Sequence, residues 1–317
     1  MTNKKNISSI SLDLDNQWSY MKIHGDSGWE KFPSYLDRFI PHMLDLLDIL
    51  NLKITFFIVG QDAALDKNKE YLIEIVKHGH EVGNHSFNHE SWLHLYPKEK
   101  IKSEILIAEE NIAQVTGKKP EGFRGPGFSW SINLIEVLSE LDYVYDASTL
   151  PTFIGPLARF YYFRTSKLTL EEKKERKKLF GSFKDGFKPV KPYFWKVNGN
   201  GRLLEIPVTT IPLIKTPFHL SYLIYLNSIS PFLMKQYLNT ALAFCKLTKT
   251  SPSFLLHPLD LIGGDLVPEL KFFPGMNLKS DVKTKIFLSV IHTLIDNFEL
   301  IGMNKHAALL KSDLINE

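Results

Sequence analysis

The sequence predicts an α/β protein built on parallel strands. Three observations carry this: short β-rich runs alternate with helical runs along most of the chain, at least one run is apolar throughout, as in a strand covered on both faces, and polar groups cluster just after the strand ends. About seven strands in one series fit a barrel, complete or distorted, better than an open sheet, and the pattern by itself is compatible with either.

Taken in order, residues 7–14 read as the first strand. A helix follows over 33–50, with Leu36, Phe39, Ile40, Met43, Leu44 and Leu47 at helical spacing. Residues 54–59 (Ile-Thr-Phe-Phe-Ile-Val) form the apolar run, closed by Gly60. Residues 71–78 are helical and stop at Gly79, 81–85 are a short strand, and 98–116 are a long amphipathic helix ended by Gly117. Phe123 begins another strand, 132–141 are helical, and 143–147, 203–207 and 253–257 are strands. A helix over 281–297 closes the series. Residues 165–195 break the rhythm with a charged run and a Gly/Pro-spaced loop, and are expected to form an insertion on the rim of one catalytic domain spanning 1–317. Gly199-Asn200-Gly201 precedes a strand instead of opening a helix, so it reads as a hairpin-like turn and not a nucleotide loop.

The composition is ordinary for a globular chain of 317 residues, with 44% hydrophobic and 23% charged side chains. Basic and acidic residues nearly cancel (38 against 35, net +3), which argues against a nucleic-acid partner. Cys245 is the only cysteine, so no intrachain disulfide can form. The first residues carry two lysines but no apolar core, so no secretory leader is expected. The most apolar stretch, 218–234, is broken by His219, Asn227, serines and Pro231 and does not read as a membrane span. The expected location is the cytoplasm, free or peripheral at the inner face of a membrane.

Five clusters carry chemistry. In Ser11-Leu12-Asp13-Leu14-Asp15-Asn16, two carboxylates two residues apart share one face at a strand end. A capping role in a loop would also account for them. In His85-Ser86-Phe87-Asn88-His89, a four-residue spacing puts two imidazoles on one side of a helical turn, as a metal requires. Ser86 stands where a zincin protease needs Glu, and Asp15 could complete a two-His, one-carboxylate site with open positions. In Gly122-Phe123-Arg124-Gly125-Pro126-Gly127, the bend after the arginine exposes backbone N–H groups suited to an oxyanion, though a plain turn reads the same way. Asp146 ends a buried-looking strand, and His257 ends the apolar run Phe254-Leu255-Leu256. Five strand ends presenting ionisable or polar groups at one rim are hard to explain as core packing.

These motifs resemble the polysaccharide deacetylase family, the NodB-homology domain of the carbohydrate esterases, over roughly residues 7–260. Asp13-Leu14-Asp15-Asn16 is a spaced variant of the family's opening Asp motif, His85 to His89 matches its His-(Ser/Thr)-x-x-His motif, Arg124-Gly125-Pro126 its Arg-x-Pro motif, and Leu256-His257-Pro258 its last histidine motif. The resemblance implies a distorted (β/α)7 barrel and a metal-dependent amide hydrolase. Asp15, His85 and His89 would hold one divalent ion, zinc by ligand type, with cobalt, nickel, iron or manganese as alternatives. Asp13 would be the base, Arg124 would keep it ionised, the Gly127 N–H would bind the oxyanion, and His257 would protonate the leaving amine. Asp146 would orient His257. The implied substrate is an N-acyl (acetyl or formyl) amino sugar. A lipid-linked sugar at the cytosolic leaflet is the leading case, because the run 173–178 is basic and 218–234 is rich in large apolar side chains. A solvated helix and a core helix are the plain readings of those two stretches. A small-molecule amidohydrolase acting on a cyclic imide or ureide, a polysaccharide or peptidoglycan deacetylase, and a metal-free binding module are the alternatives. The complete set of Asp13, Asp15, His85 and His89 speaks against the last.

Overall fold

A computed structural model describes residues 6–175, 182–197 and 201–315. Its strands are β1 (Ile7–Asp13), β2 (Thr55–Ile58), β3 (Glu81–Asn84), β4 (Gly122–Phe123), β5 (Tyr145–Asp146), β6 (Tyr193–Lys196), β7 (Arg202–Glu205), β8 (Ser253–Leu256) and β9 (Glu299–Ile301). They form one sheet in the order β6-β7-β5-β4-β3-β2-β1-β8, with β9 paired to the start of β1. The seven strands from β7 to β8 run parallel, so all their C-terminal ends emerge at one rim. The curled sheet has a seam between β7 and β8. A backbone bond from Thr209 N–H to the Ser253 carbonyl (3.1 Å) and a side-chain bond from Ser253 N–H to Thr209 Oγ1 (2.8 Å) bridge it. The expected distorted seven-stranded barrel is therefore present as a partly open one.

The alternation of β1 decides what lies inside. Ile10 and Leu12 face outward and pack with the helix Leu36–Ile49, whose Leu36, Phe39, Ile40, Met43, Leu44 and Leu47 are all buried as their spacing predicts. Ser9, Ser11 and Asp13 take the opposite face. Ser9 meets His306 Nδ1 at 2.8 Å, from the helix Met303–Ile315 that packs on β1. Ser11 and Asp13 meet Arg124. The helix Lys98–Thr116 ends as expected at Gly117, left-handed at φ 69°, whose N–H returns to the Ala113 carbonyl.

Two strands escape the hydrophobic pattern. β9 is three residues long. β6 pairs antiparallel with β7 in the register Lys196↔Arg202; Gly199 and Asn200 of the expected hairpin-like turn lie outside the described residues. Between β5 and β6 the chain forms the helices Gly155–Thr165 and Leu170–Glu175 and a tight turn over Phe183–Phe187. Arg176, Lys177 and Lys178 of the basic run lie outside the described residues.

Candidate active site

The rim gathers the predicted groups into two facing sets. In the first, the Nε2 atoms of His85 and His89 lie 3.2 Å and 2.8 Å from the same Asp15 Oδ1. All three side chains are buried, and their ligand atoms lie within 4.8 Å of one another. His85 Nδ1 is 2.6 Å from the Arg124 carbonyl, so it is the donor there and Nε2 is left for a cation. Two imidazole nitrogens and one carboxylate, fixed in this way, fit a divalent ion of the zinc type. Burial pushes the Asp15 carboxyl up, but the His89 charge and the hydrogen bonds from both imidazoles hold it well below the usual carboxylate range. Burial also pushes His89 down, whereas Asp13 and Asp15 outweigh burial at His85 and raise it.

The two histidines do not converge on a helical turn, as their spacing suggested. Residues 85–92 form a loop in which Ser86 (φ 60°) and His89 (φ 50°) are both left-handed. Such backbone is uncommon outside glycine and persists where surroundings over-determine it. Here the Asn84 side chain accepts from Ser86 N–H (2.9 Å), and Glu104 accepts from Asn88 N–H (3.0 Å). Lys22 ties down the Asn88 carbonyl at 3.1 Å.

The second set is built around Asp13. Arg124, fully buried, places Nη1 2.7 Å from Asp13 Oδ1 and 2.8 Å from Ser11 Oγ, donates Nε–H to the Ala147 carbonyl (3.0 Å) and stacks 4.4 Å above the Phe57 ring. The other Asp13 oxygen, Oδ2, faces His257 Nε2 at 3.9 Å. The carboxylate and the imidazole thus face each other across that gap. The Arg-Gly-Pro-Gly bend is a tight turn in which Gly127 is left-handed (φ 60°). Phe128 and Ser129 supply the turn's own hydrogen bonds, to Gly125 and Pro126. Gly125 is needed for close approach, since a Cβ there would fall 2.0 Å from the Ser129 carbonyl oxygen.

One expected role is corrected. The carboxylate against His257 is Asp260, not Asp146. Asp260 Oδ2 accepts the His257 backbone N–H (2.8 Å) and lies 3.9 Å from Nδ1, while Ser221 donates to Asp260 Oδ1 (2.7 Å). Asp146 sits directly opposite Glu205 in the β5–β7 register. Burial and the Glu205 charge push its carboxyl well up, so it carries the proton of this pair. It accepts from Ser148 Oγ (2.5 Å), which in turn accepts Gly125 N–H (2.8 Å). Asp146 therefore braces the Gly125 turn from behind. The signal for Asp260 was in the sequence, because a carboxylate three residues after His257 can fold back on the backbone of the residue that starts the turn.

Other contributors carried no motif. The Tyr35 hydroxyl donates to the Asp15 carbonyl. Asp62 accepts from Asn16 (2.7 Å), Trp18 (3.0 Å) and Asn68 (3.0 Å), which pins the loop after Asp15. His219, at the start of the helix Leu220–Ile229, comes within 6.0 Å of the His257 ring, centroid to centroid.

The polysaccharide deacetylase family model matches residues 22–145. A peptidoglycan deacetylase of Helicobacter pylori is 28% identical over 168 residues, 51% of this chain and 54% of that protein. A peptidoglycan-N-acetylglucosamine deacetylase of Bacillus cereus is 33% identical over 122 residues, 37% of this chain and 51% of that one. The chain thus spans about half the length, or less, of the curated relatives it matches. Among solved structures, a Mycobacterium smegmatis chain assigned to the polysaccharide deacetylases superposes with a TM-score of 0.61 at 17% identity, covering 99% of this chain and 93% of that one, and so shares the fold. The matched segment 22–145 contains both clustered histidines, His85 and His89, and the Arg124-Gly125-Pro126 turn.

Proposed function

We propose that the protein is a metal-dependent hydrolase that removes an N-acyl group from an amino sugar. The observation that carries this is the facing pair Asp13 and His257, held beside the Asp15, His85 and His89 cluster. A divalent ion bound there would supply Lewis acidity and an acidified water. The protein's own groups do the rest. Asp13 Oδ2, with Oδ1 anchored by Arg124, takes up the proton of the attacking water. The Gly127 N–H, outside the turn's own bonding, is available to the oxyanion. His257 Nε2, steadied through Asp260 and Ser221, returns a proton to the leaving amine.

A lipid-linked sugar is the finer reading. It draws support from an apolar surface on the helices Leu220–Ile229 and Pro231–Leu247, where Tyr225, Ile229 and Phe232 are 58%, 61% and 68% exposed. No helix among the described residues is long and apolar enough to cross a membrane. The names of the relatives favour a second reading, a peptidoglycan-type glycan. Metal-loaded protein should release free amine from a panel of N-acyl amino sugars, polymeric, monomeric and lipid-linked. It should also float with anionic liposomes at low salt. Release only from the polymer, without flotation, would select the glycan reading, and no amine from any member would reject the hydrolase.

A further inference from the structure

A cavity of about 120 Å³ opens beside Gly127, walled by Phe128, Trp130 and Tyr222, with His219 on one side and Asp185 of the insertion on another. It is comparable to the ~150 Å³ cavity that accepts a benzene-sized ring. Asp185 holds the insertion against it by accepting from Trp130 Nε1 (3.2 Å). His219 is 5% exposed and lies between three rings: Phe128 at 6.4 Å, Tyr222 at 4.7 Å and His257 at 6.0 Å, centroid to centroid. Its Nδ1 is sealed and has no hydrogen-bond partner.

A stranded N–H is costly, so the proton belongs on Nε2, the nitrogen that is not sealed in this way. Burial, with the positive charges of His257 and Arg124, keeps the ring neutral, well below the usual histidine range. His219 therefore offers a neutral N–H donor, next to the group that protonates the leaving amine, at the edge of an aromatic-walled space sized for one six-membered ring. Resting on the hydrolase reading above, we infer that His219 is a substrate-binding residue whose Nε2–H donates to a hydroxyl of the sugar ring carrying the scissile amide, with that ring seated between Phe128, Trp130 and Tyr222.

The test uses the metal-loaded full chain with methyl glycosides of N-acetylglucosamine, N-acetylgalactosamine and N-acetylmannosamine. Binding is read by calorimetry in an Asp13→Asn background, and amine release is read in the parent. His219→Leu should weaken binding of the preferred glycoside about tenfold, as expected for a lost hydrogen bond in a buried site. In the parent it should raise KM more than it lowers kcat, without moving the pH profile of kcat. His219→Gln should recover part of the affinity. The deoxy analogue lacking the recognised hydroxyl should bind the Leu variant no worse than the full sugar does. Equal binding by the Leu variant would overturn the inference even if amine is released. Binding with the Leu deficit but without amine release would reject the hydrolase and keep the sugar site. No binding of any glycoside would overturn the site.

Discussion

The carboxylates at the rim look alike in sequence and do different things because their partners differ. Asp15 has both imidazoles on one oxygen, Asp13 has a guanidinium on one oxygen and His257 across from the other, Asp146 holds its proton against the Glu205 charge, and Asp260 steadies His257. Mutation should separate them. Purified protein should carry about one divalent ion per chain, and the His85→Ala/His89→Ala double variant should lose it by elemental analysis. Asp13→Asn should keep the ion yet lose at least roughly 10²-fold in turnover. Asp146→Asn should leave kcat within about fivefold of the parent, since the amide keeps an acceptor for Ser148 and can donate toward Glu205. Asp146→Leu should cost roughly 1–3 kcal/mol by urea unfolding, because it strands the buried Ser148 hydroxyl that donates to Asp146. Asp260→Ala should cost turnover at least roughly tenfold, more than Asp146→Asn does. The reverse ranking would restore Asp146 as the partner of His257.

At the scale of elements, the site depends on the turns and loops after the strands more than on the strands themselves. β4 and β5 are two residues each, yet the turn after β4 carries Arg124 and Gly127, and the loop after β5 carries Ser148, which braces that turn. Gly125→Ala should be destabilising, by about 1–3 kcal/mol in urea unfolding, because its Cβ would meet the Ser129 carbonyl at 2.0 Å. It should also lower kcat by displacing Gly127. A wild-type urea midpoint for Gly125→Ala would show that the turn relaxes freely.

Across the whole molecule, the barrel interior holds polar groups that must stay neutral. Burial pushes His306 down to about 4, and its Nδ1 is hydrogen-bonded to Ser9 at the bottom of β1. Between pH about 6.5 and about 4 the unfolded chain binds a proton at this position and the folded chain does not. Stability from this residue is therefore complete above pH 6.5 and falls as pH drops toward 4. The urea midpoint should fall from pH 7 to pH 5, and less steeply in His306→Gln. Parallel slopes for the two proteins would assign the acid loss to other groups.

Much of the plan was legible in the chain. The alternation of apolar runs and helices gave the parallel strands, because a strand covered on both faces and an amphipathic helix have different periods. The positions of Asp13, Asp15, His85, His89, Arg124 and His257 at strand ends foretold one rim, because parallel strands put all such ends on the same side. Contacts between distant segments lay beyond the sequence. The seam between β7 and β8 has no local pattern, and β9 is too short to show one. His85 and His89 meet on Asp15 through a left-handed loop held by Asn84, Glu104 and Lys22, not through helical spacing. Asp146 and Asp260 were both carboxylates near a strand end. Only the packing of β5 against β7, and of the helix Leu220–Ile229 against the end of β8, decided which of them reaches His257.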